Sequence, residues 1–241
     1  MERFLPAGDS AVTVELGDAI SPEVNARVRS MQTAVENSGI PGIRETVPAY
    51  CSLTIHYDPC QILFGPLVAR LRELAAALDT DAAFPGEVVE LPVLYGGESG
   101  PDLGTVARYA GKTEQEVIAL HSEAEYLIYM LGFTPGFPYL GGLNPAIAAP
   151  RLETPRLRIP AGSVGIAGSQ TGVYPVASPG GWQLIGRTPV SLYDPARPGP
   201  ILLRAGEYIK FRPIDKETFR TIADQGASYV CRRSVHEEVR L

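Results

Sequence analysis

A chain of 241 residues with 45% hydrophobic and 20% charged residues has the composition of a folded globular protein and enough length for two cores, which excludes disordered and fibrous classes. Its formal net charge of −6 argues against a nucleic-acid binder, whose phosphate contacts need a surplus of Lys and Arg on one face. The longest apolar run, Tyr126 to Phe133, is too short to cross a bilayer, and Met1-Glu2-Arg3-Phe4 leads at once into polar sequence, so no membrane partner is expected and the expected location is the cytoplasm.

The first segment alternates strand and helix signals. Ala11 to Leu16 is a short β-branched run, and a helix is expected between Asp18 and Gly39, with Ser21 as cap, Pro22 in the first turn, Val24, Val28, Met31 and Val35 along one face, and Gly39 as the stop. Strands follow at Ile43 to Val47 and Ser52 to Tyr57, then a helix from Gly65 to Leu78 carrying Leu67, Leu71, Leu74 and Leu78 in register, then a strand at Glu87 to Tyr95. The order βαββαβ predicts an α+β domain of ferredoxin-like type over residues 1–90. Two short helices, Asp102 to Tyr109 and one opening on the capping box Thr113-x-x-Glu116, read as a helical connector over 91–125.

From Gly132 the composition changes, with 12 glycines and 12 prolines among residues 132–200, a density incompatible with regular helix. Strands are expected at Ser163 to Ala167, Gly172 to Pro175, Trp182 to Arg187, Ile201 to Leu203 and Tyr208 to Arg212, and a last helix after Asp215 carries Phe219, Ile222 and Ala223. Such a pattern indicates an all-β barrel over 126–241. The three cysteines, Cys51, Cys60 and Cys231, cannot all pair and have no zinc-ligand spacing, so reduced thiols and no metal are expected.

The chain lacks the Walker phosphate loop, a strand-linked GxGxxG, the GxSxG elbow, SxxK and HExxH. The glycines of Gly162-Ser-Val-Gly165-Ile-Ala-Gly168 suit either a tight turn or an anion-binding nest. Only three lysines occur, so most positive charge is arginine, and residues 132–200 carry Arg151, Arg156, Arg158, Arg187 and Arg197 against Glu153 and Asp194, a local net charge of +3. Arginine holds planar oxyanions with a two-pronged fork, so the cluster suits carboxylate or phosphate, unless its members are solvated or paired structurally. His121, close in sequence to Glu123 and Glu125, is either a general base or a structural histidine. Gly132-Phe-Thr-Pro-Gly-Phe-Pro-Tyr-Leu-Gly-Gly-Leu143 reads as consecutive turns, with Pro135 and Gly136 at one corner and Phe133, Phe137 and Tyr139 projecting from a stiff backbone. It is either a packed loop or a surface for a ligand or another chain. Tyr174, Gly180, Gly181 and Trp182 join it as candidate pocket residues, with Trp182 read as packing or as a stacking platform.

At these residues the sequence resembles a known family. His121-Ser-x-x-x-Tyr126, GFTPGFPYLGGL, PR-x3-PR-x-RIPAGSVGIAG-x-QTG-x-YP and SPGGW-x-LIGRTP are similar to the family that unites the B-type subunits of 5-oxoprolinase, the kinase inhibitor KipI and allophanate hydrolase subunit 1. The resemblance covers nearly the whole chain and implies a small α+β N-terminal domain followed by a cyclophilin-like β-barrel. It also implies a partner of the C or KipA type, and a third protein, the A-type component of LamB/YcsF kind. Together these convert 5-oxoproline to glutamate with ATP as co-substrate, its magnesium accompanying it and no prosthetic group bound. Within that reading Arg156 and Arg187 are the expected anion contacts and His121 the candidate base. Arg151, Arg158 and the aromatic, Gly and Pro positions named above are the candidate walls. The same motifs also fit a KipI-type inhibitor of a histidine kinase, or one component of a system hydrolysing a urea-derived amide.

Overall fold

The computed structural model describes residues 2–78 and 86–236. The chain divides into two compact units, Met1–Phe84 and Pro85–Leu241. The first holds strands β1 (Arg3–Pro6) and β2 (Ala11–Glu15), helix α1 (Pro22–Asn37), strands β3 (Ile43–Pro48) and β4 (Ser52–Tyr57), and helix α2 (Phe64–Ala76). Its strands form one antiparallel sheet in the order β1-β2-β4-β3. Because side chains alternate along a strand, Val12 and Val14 of β2 share a face with Leu53, Ile55 and Tyr57 of β4. That face packs against Val28, Met31 and Val35 of α1 and Leu67 and Leu71 of α2. Ser21 accepts a hydrogen bond from Val24 N at 3.2 Å, a cap worth about 1 kcal/mol, and Gly39 follows the helix at φ 63°.

The second unit contains β5 (Glu87–Tyr95), α3 (Leu103–Ala110), α4 (Glu114–Glu123), β6 (Glu125–Leu131), β7 (Pro138–Leu140), β8 (Arg156–Ile159), β9 (Ser163–Ala167), β10 (Gln170–Val173), β11 (Ser178–Gly180), β12 (Gln183–Arg187), β13 (Tyr208–Pro213), α5 (Lys216–Gln225) and β14 (Arg233–Val235). Seven strands run in the order β10-β9-β12-β5-β13-β6-β7, with β14 paired to β5 as the eighth, and β8 and β11 form a separate ribbon. The end strands β10 and β7 pack against each other, so the sheet curls into a nearly closed barrel. Its interior is filled from several strands, among them Val89, Leu91 and Val93 of β5, Ile128 of β6, Ile166 of β9 and Phe211 of β13. Helix α3 lies against β12 and α4 against β13. The capping box that opens α4 is formed as the sequence indicates, with both Thr113–Glu116 bonds present. Among the described residues no helix is long and apolar enough to cross a membrane.

Three expectations need correction. The strand Glu87–Tyr95 does not close a βαββαβ sheet in the first unit; it pairs with β13, β12 and β14 in the barrel. Val88, Val89, Leu91 and Val93 are all buried, so the strand needs cover on both faces, which a central barrel position supplies. Its place beside β2 is taken by β1, joined to β2 by a tight turn at Gly8, φ 71°. The first unit is therefore ββαββα rather than the ferredoxin-like order. The boundaries expected at 90/91 and 125/126 fall inside the second unit, within β5 and β6, and the helices between them cover the barrel. The outer limits at 1 and 241 lie outside the described residues. Finally, β10 begins two residues before the expected strand, Ile201 makes only an isolated bridge to Tyr193, and β6 reads in sequence as an apolar run because it lacks the alternation that marks a half-exposed strand.

Candidate functional site

The segment Gly132 to Leu143 is a succession of turns. Thr134 N donates to Gly132 O at 2.6 Å across Phe133, whose φ is 62°, the bond of a γ-turn with a positive-φ centre, a strained form. Pro135 and Gly136, the latter at φ 80°, are the corners of the next turn, closed by Phe137 N to Thr134 O at 3.0 Å. Proline presets the first corner and glycine alone accepts the second without strain. Among the described residues Phe133 is the one non-glycine with positive φ. The residue is nevertheless exposed, at 66%.

Phe137 is the hub of the aromatic cluster. Its buried ring meets Phe133, Tyr139, Tyr174 and Trp182 at centroid distances of 5.5, 5.3, 5.7 and 5.7 Å, all edge to face, the arrangement that ring quadrupoles favour. Trp182 rests on Gly172, where a Cβ would stand 3.0 Å from the indole, so side-chain absence on β10 makes the seat. These rings border a cavity of about 610 Å³ with Gly180 and Gly181 on its wall and, among the described residues, Arg151 as its single charged residue.

A second cavity, of about 420 Å³, has the opposite character. Among the described residues Arg156, Arg158, Arg187, Lys216 and Arg220 line it, and Glu98 is its only acid. Arg156 on β8 is held by Asp102, whose Oδ1 lies 2.8 Å from Nη2 while Oδ2 accepts the Leu184 N–H at 2.7 Å. Arg187 at the end of β12 donates Nε to Ala161 O at 3.0 Å, fixing one edge of the guanidinium. Lys216 and Arg220 stand four apart on α5, so they share a helix face, with Phe219 between them on the cavity wall. Among the described residues Arg158, Arg187, Lys216 and Arg220 have no carboxylate partner, which leaves their charge available to a ligand. The two cavities are neighbours. Arg156 Nη1 donates to Trp182 O at 3.4 Å, and the fields of Arg151 and Arg156 both reach the Tyr174 hydroxyl, whose pKa burial nonetheless raises.

Residues 2–203 match the model of the carboxyltransferase domain, subdomain C and D. The chain is 44% identical to the B-type subunit of 5-oxoprolinase from Bacillus subtilis (strain 168) over 228 residues, which are 90% of this chain and 95% of that protein. The chain belongs to the family of 5-oxoprolinase B-type subunits. The crystal structure of TTHA0988 superposes with a TM-score of 0.75 at 40% identity, over 89% of this chain and 40% of that one. The Kluyveromyces lactis urea carboxylase shares the fold, at 21% identity, a TM-score of 0.78, 98% of this chain and 24% of that one.

Set on this member of the family, the sequence-predicted residues divide into three groups. Phe133, Phe137, Tyr139, Arg151, Tyr174, Gly180, Gly181 and Trp182 come together at the aromatic cavity. Pro135 and Gly136 shape its turn without lining it, and Arg158 joins Arg156 and Arg187 at the basic cavity instead. His121 belongs to neither, and the expectation of a general base is corrected. It is fully buried, stacked on Phe211 at 4.5 Å, with Nδ1 2.8 Å from Tyr95 Oη and Nε2 2.8 Å from Thr171 Oγ1. Thr171 gives its hydroxyl proton to Gly165 O at 3.1 Å, so it accepts from Nε2–H, and Nδ1 then accepts from Tyr95. Burial pushes the imidazole pKa down to about 3, so the ring is neutral and fully satisfied. Three site residues escape a reading of the sequence alone. Asp102 looks only like a helix start, and the one trace that Lys216 and Arg220 leave is their i, i+4 spacing on the helix after Asp215.

Proposed function

We propose that this chain is the B-type subunit of an ATP-dependent 5-oxoprolinase, converting 5-oxo-L-proline, ATP and water to L-glutamate, ADP and phosphate together with its C-type partner and the A-type component. The observation that carries the reading is the basic cavity, in which five cations face one acid. Opening an unstrained lactam needs its carbonyl oxygen converted to a leaving group. That oxygen takes the γ-phosphoryl group as the bond to the ADP oxygen breaks, and the ring N–H proton passes to solvent. A first water then adds at the carbon, cleavage of the C–N bond opens the ring to an acyl phosphate with a free amine, and a second water releases phosphate to give glutamate. Each stage carries phosphate charge that positioned guanidinium groups stabilise.

Arg156 is preset by Asp102 and Arg187 by Ala161 O, so neither has to be ordered when an anion arrives. The donor set of the basic cavity, guanidinium and ammonium groups, suits phosphate. Magnesium, which suits phosphate and water oxygens, comes with the nucleotide in this reading. His121 supplies no proton transfer. Mixing the chain with its A-type and C-type partners and following ATP-dependent glutamate release tests the proposal. Release that depends on this chain supports it, and release undiminished when the chain is omitted defeats it.

A further inference from the structure

We infer that the two neighbouring cavities divide the two substrates between them, the aromatic cavity taking the lactam acid and the basic cavity the triphosphate. The inference rests on the 5-oxoprolinase reading and deepens it. Charge sorts the ligands first. Among the described residues the basic cavity offers five cations against Glu98 and the Asp102 carboxylate that pairs with Arg156, a net of three positive charges (5 − 2), while the aromatic cavity offers Arg151. A nucleoside triphosphate carries about four negative charges and suits the first; a ring bearing one carboxylate suits the second, where a single guanidinium fork can hold it.

Surface chemistry sorts them in the same direction. The lactam ring has two adjacent methylenes, which pack against the faces of Phe133, Tyr139 and Trp182 where a phosphate chain would lose its hydration without compensation. The basic cavity has only Leu94, Leu184, Phe219 and prolines as apolar wall, and its cations come from β8, β12 and α5, three sides of one space. The strained γ-turn gives a further indication. A non-glycine residue held at φ 62° packs edge-on to Phe137 yet stays 66% exposed, and such strain concentrates where a side chain is aimed at a ligand.

The junction is where a phosphoryl group would meet the lactam oxygen. Arg156 lines the basic cavity, yet reaches Trp182 O of the aromatic wall, and Tyr174 lies in the fields of Arg151 and Arg156 together. One cation fixed at the boundary can therefore contact the transferring group from the nucleotide side. Asp102, buried behind it, is a positioning residue rather than a contact.

The test is steady-state kinetics of the reconstituted enzyme, varying 5-oxoproline and ATP separately, with Arg151→Ala and Arg220→Ala. Both side chains are exposed, so folding is not at risk, and circular dichroism checks it. Arg151→Ala is expected to raise KM for 5-oxoproline on the order of tenfold or more and leave KM for ATP unchanged, since a charged hydrogen bond to one ligand is lost. Arg220→Ala is expected to raise KM for ATP alone. A reversed pattern, both constants moving together, or no change in either variant overturns the division while leaving the chain's role in the enzyme standing. Glutamate release that persists without this chain removes the 5-oxoprolinase reading itself, a separate outcome.

Discussion

Two polar regions of the barrel unit are equally conspicuous in the sequence, the histidine before the Gly/Pro-rich segment and the arginines after its start, and the fold treats them oppositely. Around His121 every valence is used. Tyr95, the imidazole, Thr171 and Gly165 O form one chain of hydrogen bonds inside the core, and the imidazole is sealed from water and carries no charge. Around Arg156 and Arg187 each guanidinium is tied down along one edge and left open along another. The lesson is that partner count separates structure from site. A buried polar group with all its bonds made holds the fold together, and an anchored cation with unused donors waits for a ligand.

The comparison can be broken by acid. The His121 pKa is lowered from 6.5 to about 3 on folding, so the unfolded chain binds more protons in that window. Stability is then fully present above pH 6.5 and falls as pH drops toward 3, by about 1.4 kcal/mol per pH unit from this group, on the order of 5 kcal/mol in all. Next in size, Arg187→Ala is expected to lower kcat/KM on the order of 100-fold, as removal of a charge-stabilising donor does, with stability within about 0.5 kcal/mol of the parent. His121→Phe keeps a ring in place but leaves the Tyr95 hydroxyl without its acceptor and Thr171 with Gly165 O as its partner, a loss of about 2 kcal/mol at pH 7. Because it also removes the titration, the variant is expected to be the more stable of the two proteins at pH 4, and urea midpoints at both pH values decide it. A parent that stays the more stable at pH 4 rules out the depressed pKa. Smallest is Phe133→Gly, where relief of backbone strain offsets the lost ring contact and added chain entropy. Its melting temperature is expected to stay within about 2 °C of the parent while KM for 5-oxoproline rises.

Much of this is legible in the chain. Caps and stops such as Ser21, Gly39 and the Thr113–Glu116 box are local chemistry, and local chemistry survives folding. The walls of the aromatic cavity are readable because GFTPGFPYLGGL is a string of turn residues whose conformations Pro135 and Gly136 largely fix. Strand Glu87–Tyr95 is evident in the sequence but its sheet is not, since β-pairing across more than a hundred residues leaves no periodic trace; its neighbour β13 begins at Tyr208. Asp102 is inconspicuous for a related reason, because its partners, Arg156 and Leu184, become adjacent only when the barrel closes. The role of His121 cannot be read from proximity to Glu123 and Glu125, for neither of these is its partner in the fold.

The contrast between the two regions is tested most directly by ATP-dependent glutamate release from enzyme reconstituted with Arg187→Ala or with His121→Phe, each normalised to folded protein. The arginine variant is predicted to lose most of its activity while the histidine variant keeps that of the parent. Full activity in Arg187→Ala together with loss in His121→Phe would contradict this assignment and return the chemistry to the buried histidine.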